Sequence, residues 1–68
     1  MDKMAIYLQL EDLADELFYQ LMLSRKRLAE LDLRGPNFHE LHDELLDEIN
    51  DLTSQRKGVL KAIEIVKP

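Results

Sequence analysis

The chain has no cysteine and no tryptophan, only two glycines, two prolines and two histidines, and fewer basic than acidic residues. Each shortage removes a class of protein. Without cysteine there is no disulfide framework of the kind that staples small secreted domains, no thiolate zinc site and no cysteine nucleophile, and a cytoplasmic location fits best. Nine lysines and arginines against 14 aspartates and glutamates leave a net charge of −5. Nonspecific phosphate binding is driven by basic side chains displacing counterions, so this balance disfavours nucleic acid as a partner. No long apolar run is present: the opening "MDKMAIYLQLEDL" carries too few apolar residues for a signal-peptide core or a membrane span, and no membrane partner is expected. There is also no glycine-rich phosphate loop and no nucleophile elbow, so neither an enzyme nor a bound cofactor is expected.

What remains is a chain rich in Leu, Glu, Asp, Lys and Arg, a composition that favours long helices over strands or disorder. Its 68 residues make one domain, 1–68, and a chain of this size buries only about 60% of its unfolded surface. The turn is marked by "LDLRGPNFHELHDELL", residues 31–46, which holds the first glycine and the first proline. Gly35 suits the left-handed residue that follows many helices, and Pro36 stops helix continuation. Asn37 is a good N-cap, with Glu40 placed three residues later to complete a capping box. Helix 1 is therefore expected over about residues 3–33, the turn over 34–37 and helix 2 over about 38–66. So short a connection joins antiparallel neighbours.

Apolar spacing supports the same reading. Helix 1 carries a seam of alternating three- and four-residue steps through Tyr7, Leu10, Ala14, Leu17, Leu21, Ser24, Leu28 and Leu31. Helix 2 carries its counterpart through Phe38, His42, Leu45, Ile49, Leu52, Arg56, Val59, Ile63 and Val66. Each helix is acidic in its first half and basic in its second, which complements its dipole. Folded antiparallel, Asp15 is expected to meet Arg56, and Arg25 to meet Glu44 or Glu48. Gly58 costs about 1 kcal/mol inside a helix relative to Ala, so helix 2 could fray or bend there, although a continuous helix to about residue 66 is expected. The alternation "IYLQL" at 6–10 resembles a short strand, but no second candidate strand exists to pair with it.

The apolar residues outnumber what one partner helix can cover. The fold class expected is all-α, a two-helix antiparallel hairpin that completes a bundle with a second copy of itself or with another protein. The facing seams use Leu10, Leu17, Leu21 and Leu28 with Leu45, Ile49, Leu52 and Ile63. Left over as candidate partner-binding residues are Leu8, Phe18, Tyr19 and Met22 from helix 1, and Phe38, Leu46 and Leu60 from helix 2.

Metal and substrate chemistry find little footing. His39, His42 and Asp43 share a face, but "HELH" is one residue short of the spacing that sets two zinc ligands one turn apart, and no metal site is expected. His39 is expected in solvent and His42 in the seam, hydrogen-bonded across it. Asp15, Phe18, Tyr19, Leu21, Met22, Arg25, Leu28 and Ala29 resemble the first helix of the all-helical chorismate mutases, whose arginine binds a substrate carboxylate. The chain is too short for the three helices of that family. Three other segments, "QLMLSRKRLAEL" from Gln20, the Arg34–Gly35 turn and "VLKAIEIV" from Val59, resemble the E component of type III secretion systems, a helical-hairpin co-chaperone of the needle subunit. That resemblance implies a cytoplasmic protein that pairs with a tetratricopeptide-like chaperone and keeps an aggregation-prone subunit monomeric. The alternative is a homodimeric four-helix bundle similar to the plasmid copy-number regulator Rop, with a regulatory role toward RNA.

Overall fold

A computed structural model describes residues 2–68 as two long helices, α1 (Lys3–Ala29) and α2 (Phe38–Val66), packed antiparallel along their length. The all-α hairpin follows from the two seams, and the "IYLQL" alternation lies inside α1 as helix. α1 starts where the Asp2 carboxylate accepts the Met4 N–H at 3.0 Å, satisfying one of the unpaired donors of the first turn. Lys26 and Arg27 occupy its last turn, where cations offset the partial negative charge of the helix end. α2 runs through Gly58 without interruption.

The turn departs from its sequence signals. α1 ends at Ala29, four residues before the expected end near Leu33, and Gly35 does not adopt a positive φ. Asp32 makes the bend instead: its carboxylate accepts the Arg34 N–H and its carbonyl accepts the Gly35 N–H, both at 3.0 Å. An aspartate that binds the backbone two residues on replaces the turn that a left-handed glycine would give. α2 does begin at Phe38 with Asn37 before it, but the Asn37 side chain makes no capping bond and the expected box with Glu40 does not form. The backbone supplies the start, with Phe38 N–H donating to the Gly35 carbonyl and Leu41 N–H to that of Asn37.

The core is a thin strip. Ala14, Leu17 and Leu21 of α1 are buried with Leu52 and Ile63 of α2, and Ile49 and Val59 pack against them. Leu10, Leu28 and Leu45 are half-buried at its margins. Ser24 is the most enclosed side chain, 1% exposed. Ala14 and Ser24 sit at the same seam positions as the leucines but are small, which lets α2 come close at those levels. Leu31 stays half-buried although it lies beyond the helix.

Cross-helix charge pairing does not take the expected form. Among the described residues the ion pairs are Lys26–Glu30 at 4.0 Å and His42–Asp43 at 3.6 Å, each between neighbours in sequence. Neither Asp15–Arg56 nor Arg25 with Glu44 or Glu48 is formed. Exposed pairs between long side chains gain little in water, and the backbone offers Arg56 a better acceptor.

The molecule is a rod of 52 × 14 × 14 Å with a radius of gyration of 15.8 Å, against about 11 Å for a compact domain of this length. Its accessible surface is 5468 Å², whereas a globular monomer of the same mass exposes about 4,450 Å².

Candidate functional site

One long side of the hairpin combines exposed apolar side chains with cations that form no ion pair among the described residues. On α1, residues 18, 22 and 25 fall one helical turn apart on the edge beside the seam. Phe18 is 47% exposed and Met22 is 52% exposed, both far from the burial of Leu17 one residue earlier, at 6%. On α2 the matching edge carries Leu46, Thr53, Lys57 and Leu60. Between the two edges runs an open groove of about 290 Å³ lined by Phe18, Leu21, Arg25, Thr53, Arg56, Lys57 and Leu60.

Arg56 shapes this groove. It interrupts the apolar seam of α2, and its stem lies between the helices while the guanidinium emerges at the groove. Nε donates to the Ala14 carbonyl at 3.3 Å, a contact that the small Ala14 side chain leaves open. The guanidinium carbon lies 5.1 Å from the centroid of the Phe18 ring, within range of a cation–π attraction. Arg56 thus orients Phe18 from one face and leaves nearly half of it in solvent.

The candidate residues divide as follows. Phe18, Met22, Leu46 and Leu60 lie on the groove side by helical register and are exposed. Leu8 and Tyr19 are exposed farther around α1. Phe38 is half-buried at the turn end, its ring 5.4 Å from that of His42 and 5.4 Å edge-on from that of His39, so it packs locally. His42 does not bond across the seam: it lies against Phe38, with Nδ1 toward Asp43 of its own helix. Among the described residues no group of three or more His, Asp or Glu side chains converges as a metal site, and no helix is long and apolar enough to cross a membrane.

Two features were missed from sequence. The basic rim of Arg25, Arg56 and Lys57 is one, since the charge pattern assigns Arg25 and Arg56 to pairs between the helices and gives Lys57 no partner. Exposed Met4, Leu13 and Ile65 also stand outside the candidate set, showing how narrow the buried strip is. At the open end, the Tyr7 hydroxyl is held above its ordinary pKa, chiefly by the neighbouring Glu11 carboxylate, with smaller contributions from burial and from Glu64. Comparison of the chain with protein-family models, with curated proteins and with solved structures gives no match.

Proposed function

We propose that the chain is a small, non-enzymatic protein-interaction module, an adaptor or chaperone that covers apolar surface of a partner with the groove side of its hairpin. The observation that carries this reading is the exposure of Phe18 and Met22 together with Leu46 and Leu60 on one side of a rod with a thin core. Contiguous apolar surface rimmed by polar groups marks an interaction face, and aromatic, Met and Arg side chains are the types enriched at interface centres. The three segments that resemble the type III secretion co-chaperones supply a concrete pair of partners, a tetratricopeptide-like chaperone and a needle subunit. A second reading, a homodimeric bundle of regulatory role, is favoured by the rod's surplus surface.

The test separates folding from binding. Phe18→Ala and Leu46→Ala should weaken partner binding, measured by calorimetry with such a chaperone and needle subunit, by about 2 kcal/mol or more while circular dichroism stays unchanged. Leu17→Ala should instead lower folding stability by roughly 2–5 kcal/mol. The reverse pattern, with Phe18→Ala unfolding the chain and binding otherwise untouched, would refute the assignment of inner and outer faces.

A further inference from the structure

We infer that the exposed edge of α1 pairs with the same edge of a second copy of the chain, the two helices running antiparallel. The inference rests on reading that edge as an interaction surface, and it names the occupant. One position after the buried seam runs a second row with the same three- and four-residue steps: Glu11, Asp15, Phe18, Met22, Arg25 and Ala29. The row is acidic toward the N-terminus, apolar at its middle and basic toward the C-terminus. A twofold interface sets residue i against j and j against i, so a row that serves it must complement its own reverse.

This row does. Aligned antiparallel about a point between Phe18 and Met22, Phe18 faces the partner's Met22, Asp15 faces the partner's Arg25, and Glu11 lies beside the partner's Ala29. Parallel alignment would set Asp15 against Asp15 and Arg25 against Arg25. Among the described residues neither forms an ion pair within its own chain, where the pairs are Lys26–Glu30 and His42–Asp43. Charged residues at a helix seam fix orientation and register, the role this pair would have. The rod also has surface to spare, exposing about 1,000 Å² more than a compact monomer of its mass.

Charge reversal at low ionic strength tests the pairing. Asp15→Arg or Arg25→Asp alone sets like charges together and should raise the dimer dissociation constant in sedimentation equilibrium by roughly tenfold or more. The double reversal should restore it to within about threefold, because the two changes act on one contact. Circular dichroism of each variant confirms that the hairpin is intact. In a second arm, Asp15→Cys and Arg25→Cys chains are mixed and oxidised; the mixture should form a disulfide-linked pair that neither variant forms alone, the native chain having no cysteine. Self-linking of Asp15→Cys, a double reversal no tighter than the singles, or a native chain monomeric at every concentration would overturn the inference. A monomer that still binds a helical partner through Phe18 removes the self-pairing alone, whereas partner binding and dimerisation both indifferent to Phe18→Ala would remove the interaction surface itself.

Discussion

Arg56 reaches across the hairpin to Phe18: its guanidinium lies over the ring, 5.1 Å from the centroid, while its Nε donates to the Ala14 carbonyl. One side chain thereby ties the two helices together and sets the ring at the edge of the groove. Lysine keeps the charge but loses both the planar stacking and the Nε donor. Arg56→Lys should therefore destabilise the hairpin by about 1–2 kcal/mol in urea unfolding. An unchanged midpoint would show that the contact is incidental.

The two helix starts should respond differently to the same kind of change. Asp2→Ala removes a side-chain acceptor from the Met4 N–H and should cost about 1 kcal/mol. Asn37→Ala removes a side chain that makes no capping bond and should stay within about 0.5 kcal/mol. Thermal unfolding followed by circular dichroism at matched concentration compares the pair directly.

These contrasts show where the sequence was readable. The seams were legible because burial follows a fixed three- and four-residue rhythm, and Leu17, Leu21, Leu52 and Ile63 sit where that rhythm places them. The end of α1 was not, because Leu31 continues the rhythm and stays half-buried although the helix has stopped at Ala29. Gly35 and Asn37 carried familiar turn signals, yet Asp32 took the work through its side chain and carbonyl. Several chemistries fit so short a loop, and local hydrogen bonds choose between them. Of the candidate surface, Phe18 and Met22 were legible as apolar residues outside the seam. The position of Arg56 over Phe18 was not, since a guanidinium with acids and a carbonyl in reach is decided by the closeness of the helices at Ala14.

Gly58 offers a gain. It is exposed in the middle of α2, and a Cβ built there meets nothing within 4 Å. Gly58→Ala should raise stability by about 1 kcal/mol through helix propensity alone. A loss of stability would reveal a contact on that face that the isolated hairpin lacks.

Alkaline titration should report on Tyr7. Its hydroxyl pKa is raised above the ordinary phenol value in the folded chain, so the folded state favours the neutral phenol. The resulting stabilisation is present in full below the ordinary value, about 10, and is lost as pH rises through the higher folded value. Tyr7→Phe should flatten that part of the decline in thermal stability. An identical alkaline decline in the variant would place its cause elsewhere.

The most direct measurement is sedimentation equilibrium of the unaltered chain from micromolar concentration upward, because the central claim is that the exposed edge of α1 is covered by a second copy of the chain. The mass should rise above 8.0 kDa toward twice that value as concentration increases, with helix content constant. A chain that stays at 8.0 kDa across the whole range, fully helical and unfolding at a temperature independent of concentration, would contradict it.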